Sequence, residues 1–582
     1  MITIINKNNW NKYLTAGLFS FLRPFGGKRQ ADYHITSFLV ISLLLTSCEL
    51  DRLPETTLAD NTFWQSETDL RGACNKLYVD LPGFSHDTRA DDIIGTAANA
   101  TSSGSWSVPA TSSDWTGPYQ KIFVCNNIIE KGGKAPLSDA QKNRWTAEAY
   151  FFRAYHYFDL VRKYGDVPLI LKAFDSTSDP DIKMARTSRE SVIQQCYSDL
   201  KLAEEYLPDI DAVSSAADWG RVSKSAARGM LVRIGLYEGT FAKYHGLASD
   251  AKAHLKVSID AAERLISSGK HDLYPDFQKL FYFDGEGRQN KENVFVKIYG
   301  PNGDGAVITH NNSRGMENAV SVTRQTIDQI LYTDGLPREK TALKVEETHH
   351  NDVFTNRDPR MAMTFYMKDE EAYKAGYNPF GNQHGNGYGL KKGFMLSEWN
   401  TTNKETVDKM IIRYAEILIS YAEALYEYNG QITDAQLDAT VNKVRSRAGF
   451  EARLTNQFCA DNGLDMLGEI RRERLVEFID ENLRYSDIIR WKTAEKVLPQ
   501  TMLGLKYNDE DKLSTQRENI ESRLTDANGM FNGRKVADQA GIYVIEDAAN
   551  RVFDPAKDYY YPIPTYEIAT SDANVTQNAG WK

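Results

Sequence analysis

The stretch 145–168, WTAEAYFFRAYHYFDLVRKYGDVP, constrains this chain more than any other. Six aromatics (Tyr150, Phe151, Phe152, Tyr155, Tyr157 and Phe158) fall within nine residues of a helical run. Spread at 3.6 residues per turn they reach nearly every face, so the helix must be buried on most sides. Ser138 and Gln141 form a capping box at its start. Arg162 and Lys163 complement the negative end of its dipole, and Gly165 and Pro168 stop it. Such a helix needs other helices around it. The predicted fold is therefore mainly α, a large helical scaffold.

At 582 residues and 41% apolar content, the chain can bury a large core and hold more than one lobe. Its net charge of −10 argues against broad nucleic-acid binding, which needs a clustered basic surface. Ile35–Thr46 is too short an apolar run to span a bilayer, which takes roughly 20 residues. Lys28 and Arg29 precede it and Leu45-Thr46-Ser47-Cys48 follows, the layout of a secretory signal ending in a bacterial lipobox. Cys48 is the expected lipidation site, with 1–47 as the signal peptide. Cys74, Cys125, Cys196 and Cys459 have no metal-ligand spacing, and the first three read as small core residues of helices.

After an extended tether at 53–57, Ser66 caps a helix predicted from Glu67 to about Asp80. Residues 81–114 lose apolar periodicity and are rich in Pro, Gly, Ser, Thr, Asn and Asp, so they read as a long functional loop. Trp115 and Tyr119 open the next helix. Helix pairs are then predicted from a Thr187-Ser-Arg-Glu190 cap to about Leu207, from Ser223 to about Tyr244, over 249–268, over Met410–Tyr428 and from Thr433 to Ala448. Short turns between antiparallel helices are the unit of a helical repeat, and Ala154, Phe158 and Pro168 echo tetratricopeptide punctuation. Residues 271–404 interrupt the pattern with Gly, Asn, Tyr and short β pieces such as 293–298. The expected organisation is 48–270 as an N-terminal region and 271–582 as a C-terminal one. The latter divides into loop-rich 271–404, helical 405–500 and a last segment 501–582.

Seven segments in order strengthen one likeness. They are AEAYFFRAYHYFDLVRKYGDVPL, Arg357-Asp-Pro-Arg360, Arg413-Tyr-Ala-Glu416 with Tyr421-Ala-Glu-Ala424, and Val441-Asn-Lys-Val-Arg-Ser-Arg-Ala-Gly449. Ile470-Arg-Arg-Glu-Arg474 with Arg484 and Arg490-Trp491, Tyr560-Tyr-Pro-Ile-Pro564, and Gln577-Asn-Ala-Gly-Trp581 complete the set. Together they resemble the SusD/RagB family of Bacteroidetes outer-membrane nutrient-binding lipoproteins. The resemblance implies a tetratricopeptide-like scaffold with a loop-rich second lobe, and a lipid-anchored place on the cell surface. It also implies a partner, a TonB-dependent outer-membrane transporter, and a glycan ligand captured without catalysis. Some relatives resemble peptide receptors, so peptide capture is the alternative.

The sequence carries no Gly-x-Ser-x-Gly, His-Glu-x-x-His, Walker or Gly-x-Gly-x-x-Gly motif, and no catalytic residue, metal or cofactor is assigned. Glu469, Glu473, Glu477 and Glu481, interleaved with Arg471, Arg472 and Arg474, read as salt-bridge lacing. Arg357 and Arg360 are expected to pair with helix ends around an Asp358-Pro359 turn. A sugar presents an apolar C–H face to an aromatic platform and hydroxyls to polar groups around it. Three loops fit that chemistry. The candidates are Asp91, Asn99 and Trp106 in the first, Tyr282, Phe283 and Arg288 in the second, and Tyr377 and Trp399 in the third.

Overall fold

A computed structural model describes residues 63–582 apart from 96, 175, 177, 214, 216, 301–307, 374, 380–386, 402–403, 507–533 and 536–541. The expected lipidation at Cys48 and the signal segment lie outside the described residues.

The scaffold is built from α1 (Glu67–Asn75), α2 (Ser113–Asn127), α3 (Asp139–Tyr164), α4 (Arg189–Tyr206), α5 (Lys224–His245) and α6 (Ala251–Ser267). Later segments add α7 (Tyr414–Asn429), α8 (Val441–Arg447), α9 (Met466–Glu477) and α10 (Arg484–Arg490). Neighbours in sequence pack as pairs: α2 on α3, α3 on α4, α4 on α5 and α5 on α6. From the far end of the chain, α7 then packs on α6 and α5. The aromatic helix α3 lies at the centre. Phe151, Phe152 and Tyr157 are fully buried and Phe158 nearly so, each buried ring contributing about 1.5–3 kcal/mol. Both halves of the capping box are made, Ser138 accepting from the Gln141 amide and Gln141 from that of Ser138. Gly165 ends α3 at φ +72°, and the Tyr560 ring leaves no room there for a larger side chain.

Buried ion pairs fix how the helices sit on one another. Arg153 grips Asp199 through two bonds of 2.7 Å, joining α3 to α4. Arg189 grips Glu238 at 2.7 and 2.8 Å, joining α4 to α5. Arg490 and Trp491 both donate to Glu423, joining α10 to α7. At the C-terminus, the Gln577 side-chain amide closes on both backbone groups of Ile563. Asn578 then donates to the carbonyls of Tyr164 and Tyr561. The terminal segment is thereby laced to the end of α3. Cys74, Cys125, Cys196 and Cys459 are buried thiols.

The structure departs from the sequence reading at several boundaries. Thr440 breaks the helix predicted from Thr433 to Ala448 into Asp434–Ala439 and α8, and Ser188 rather than Thr187 caps α4. Three further segments differ. The helix predicted from Met410 begins at Tyr414, because Lys409–Arg413 form a strand, β4, antiparallel to β2 (Asn293–Lys297). Periodicity cannot anticipate this, since Lys-Met-Ile-Ile-Arg continues the apolar run of the helix that follows. The segment 81–114 contains β1 (Ile93–Gly95), which pairs with β3 (Val320–Val322), and a short helix at Ala100–Ser103. The helix after Ser66 leaves α geometry at Asn75 and ends as a 3₁₀ turn at Lys76–Tyr78.

The loop-rich lobe has its own core, made of Val320, Val322, Phe365, Tyr366, Tyr377, Tyr388, Leu390 and Trp399 together with Ile93. Val476 of α9 and the adjacent Ile479 belong to that same core, so the lobe is seated on the scaffold.

The candidate ligand cleft

The seat of the loop lobe is a buried ionic hub. Arg360 meets Asp358, Glu473 and Glu477 at 2.7, 2.6 and 2.9 Å. Arg413 meets Glu292, Glu477 and Glu481 at 2.7–2.8 Å. Arg445 holds Glu473, Arg447 bridges Glu292 and Glu477, and Lys392 holds Glu481. Five cations thus face five carboxylates in a nearly dry site. Burial would raise the Glu477 carboxyl, but Arg447, Arg413 and Arg360 hold it down at about 2. Each glutamate read as lacing is paired here, with Glu469 on Arg472. Arg357 caps a helix end as expected, donating to the carbonyls of Ile327 and Ile330. The matching segments of the sequence are therefore, in large part, the charges of this hub.

Beside the hub opens a cleft in two chambers, of about 80 Å³ and about 360 Å³, which share Ser85, Lys409, Met410, Glu481 and Leu483 among their walls. The larger one lies within the range of small-molecule sites. Phe84 lines the smaller chamber, half-buried, with the His310 ring 4.4 Å and the Tyr299 ring 5.9 Å from its own. Phe281, Met395 and Val407 add apolar wall, while Ser85, Asn312, Ser313, Glu398 and Asp408 add polar groups.

The segment carrying Phe84 is tied down on two sides. On one side, the ammonium groups of Lys297 and Lys409 donate to the carbonyls of Leu81 and Gly83 at 2.6 and 2.5 Å. A Cβ at Gly83 would come within 2.8 Å of the Tyr299 hydroxyl, so the close approach requires glycine. On the other side stands the turn between α9 and α10, where Asp480 and Asn482 hold positive φ. His86 pairs with Asp480 at 2.8 Å, Asn482 bonds Ser85 and the Asp87 amide, and Arg484 clasps Asp91 through two bonds of 2.7 Å.

Hub residues Lys392, Arg413 and Glu481 also line the cleft, but Asp408 on its wall, and Glu286, which bonds Asp408 from outside the lining, are charged groups of another kind. Asp408 accepts the Tyr299 amide and Glu286 the Asp408 amide. Neither carboxyl, nor that of Glu398, has a lysine or arginine at ion-pair distance among the described residues. Burial pushes Asp408 up to about 6, and burial with the Asp408 charge pushes Glu286 up to about 8. Burial likewise brings the Lys409 ammonium down to about 8, in spite of Asp480 and Glu481.

The sequence candidates are dispersed. Phe281 lines the cleft, and Tyr282, Phe283 and Arg288 follow it in chain order without themselves lining it. The Tyr282 hydroxyl accepts from Gln278. Trp106 is half-buried and packs edgewise on Tyr561 and Trp581, away from the cleft lining. Asn99 caps the Ala100–Ser103 helix and donates to Thr88. Asp91 is engaged by Arg484. Tyr377 is only 2% exposed and Trp399 5%, so both rings belong to the second core and present no open face. Tyr377 stacks on Tyr366, and Trp399 lies under the Arg314 guanidinium at 3.8 Å. Phe84, Tyr299 and His310 escape sequence reading because no local pattern brings residues more than 200 positions apart to one wall. The Pro82-Gly83-Phe84 turn is the one available signal.

Comparison with known proteins agrees with this architecture. Residues 279–581 match the model of the SusD family, and residues 88–236 match a second model described as starch-binding associating with outer membrane. The chain is 26% identical over 497 residues to SusD-like protein P2 of Formosa agariphila, covering 80% of this chain and 92% of that one. It is 24% identical over 481 residues to a SusD-like protein of Bacteroides ovatus, covering 80% and 82%. A crystal structure of a SusD-like carbohydrate binding protein from Bacteroides fragilis superposes with a TM-score of 0.68 at 22% identity, over 88% of this chain and 99% of that one. A laminarin binding SusD-like protein superposes with a TM-score of 0.58 at 19% identity, over 89% and 100%. Since the first match alone spans more than half of the sequence, the chain belongs to the SusD family.

Proposed function

We propose that this protein is a lipid-anchored, cell-surface receptor that captures oligosaccharide in the cleft and hands it to a TonB-dependent outer-membrane transporter. The observation that carries the reading is the half-buried Phe84 at the mouth of a cleft whose wall alternates apolar surface with Ser, Asn and carboxyl groups. An aromatic ring takes the C–H face of a sugar, and the ring of polar groups takes its hydroxyls. The Asp408 carboxyl on the cleft wall, raised by burial to about 6, serves as an acceptor and, in its protonated fraction, as a donor for neutral hydroxyls. The relatives named as carbohydrate-binding and laminarin-binding support a glycan, and the family description that mentions the outer membrane supports the location. No helix among the described residues is long and apolar enough to cross a membrane, so attachment through Cys48 is the anchor this reading requires. Capture is non-covalent and has no catalytic step.

One observation favours peptide capture as the second reading. The carboxyls of Glu398 and Asp408 on the cleft wall lack a lysine or arginine at ion-pair distance among the described residues and could receive an ammonium group. Affinity electrophoresis of residues 49–582 against plant, microbial and host polysaccharides separates the two. Retardation by a glycan that is lost in Phe84→Ala establishes the cleft as a sugar site. Absence of retardation by every glycan, with binding of short peptides by calorimetry, establishes the alternative.

A further inference from the structure

Lys297 and Lys409 sit directly opposite one another in the β2–β4 pair. Two like charges in register repel, a pairing that sheets ordinarily avoid. Neither lysine has a carboxylate at ion-pair distance among the described residues. Each gives its ammonium to a backbone carbonyl of the Phe84 segment, Lys297 to Leu81 and Lys409 to Gly83. The same ammonium groups lie near the rings beside the cleft, Lys297 at 5.0 Å from Tyr299 and Lys409 at 5.6 Å from Phe84. Half-buried cations without a counter-ion are costly, and what these two secure is the position of one loop.

We propose that Lys297 and Lys409 are positioning residues, a paired cationic latch that holds the 81–84 backbone so that Phe84 stands ready at the mouth of the cleft. The proposal rests on the cleft being the ligand site. Its energetic logic is preorganisation: a loop ordered before binding spares the ligand the cost of ordering it. The latch is built on charge and is therefore sensitive to alkali. Around Lys409 stand Asp480 and Glu481 from the α9–α10 turn, His86 from the loop and Lys297 from β2. Around Lys297 stand Asp80 and Lys121, themselves paired at 2.7 Å. Asp80 and Glu481 are held below the ordinary carboxyl range. Burial would lower the His86 imidazole, but the Asp480 charge and hydrogen bond outweigh it and raise it. Both His86 and the lysine ammonium therefore change near and above neutrality, and Lys409→Arg separates the two. Burial lowers both lysines, Lys409 to about 8, so the latch weakens as pH rises past that value.

Hydrogen–deuterium exchange of residues 81–89 tests this without any ligand. Lys409→Met is expected to raise exchange there about tenfold over wild type, and Lys409→Arg to restore most of the protection. After correction for intrinsic rates, wild-type protection should fall between pH 7.5 and 9.5, while Lys409→Arg keeps it across that range. Lys297→Met serves as the second variant, and unchanged protection of α3 shows that each protein is folded. Wild-type exchange in both methionine variants, equal exposure in Lys409→Met and Lys409→Arg, or a flat profile in wild type would overturn the latch. Failure of the cleft reading shows differently, as Phe84→Ala protein retarded by a glycan as strongly as wild type, and that result would end the latch's role in binding.

Discussion

Two charged regions of this molecule lie within a few residues of each other and use charge in opposite ways. Arg413 closes β4 inside the hub, where each cation meets a carboxylate and each carboxylate a cation. Asp408 and Lys409, four or five residues earlier, face a cleft with no ion-pair partner among the described residues. A buried pair offsets its desolvation only when its geometry is good and complete, which makes the hub a structural joint. Charges left uncompensated beside a cavity are costly to folding and available to a ligand or a loop. The contrast teaches that richness in charged motifs marks the joint, while the candidate site adds to such pairs the charges of Asp408 and Lys409, which stand outside any ion pair among the described residues.

Breaking the joint should have the larger consequence. Glu477→Gln leaves Arg360, Arg413 and Arg447 short of their shared carboxylate and is expected to cost about 3–5 kcal/mol in urea unfolding. A loss below about 1 kcal/mol would show the hub to be dispensable. Trp106→Ala removes a half-buried ring from Tyr561 and Trp581 and should cost ~2 kcal/mol, about half the value for a fully buried tryptophan. Its glycan retardation should match wild type; lost retardation at wild-type stability would return the sugar site to the 81–114 segment. Phe84→Ala, at a ring equally half-buried against His310 and Tyr299, should cost a comparable ~2 kcal/mol in stability but, unlike Trp106→Ala, should also weaken glycan binding about tenfold, or ~1.4 kcal/mol.

A pH series sharpens the comparison with the smallest signal. Glu477 and Glu423 in the joints are held down at about 2, so their contribution is present above the unfolded carboxyl value near 4.5 and is lost as pH falls toward 2. Asp408 on the cleft wall and Glu286, which accepts the Asp408 amide, are raised to about 6 and 8. The folded state there binds more protons than the unfolded one, and stability declines as pH climbs from about 4 to 8. The double variant Asp408→Asn with Glu286→Gln should flatten that neutral decline and leave the acid limb in place. An unaltered decline would place its origin outside the cleft.

Legible in the amino-acid sequence is what short range decides. The capping box of Ser138 with Gln141 forms as read. So does the burial of α3 on nearly every side. Both rest on side chains within a turn or two of one another, where spacing and composition suffice. The motif resemblance extends that reading to the family, because the hub's arginines and glutamates recur as recognisable local strings. Tyr377 and Trp399 show the opposite case: a Gly- and Asn-rich neighbourhood suggests exposed platforms, yet both rings pack into the second core.

By itself, then, the amino-acid sequence determined a helical scaffold around one aromatic helix, its caps and stops, and the family to which the chain belongs. Only the tertiary structure decided where a ligand could sit. The cleft gathers Phe84, Phe281, His310, Lys409 and Asp480 from five separated segments. The partners that hold them, such as Asn482 on Ser85 and Arg484 on Asp91, lie almost 400 residues away along the chain. Long-range pairing of this kind leaves no local period or spacing, and becomes fixed only when the whole core packs.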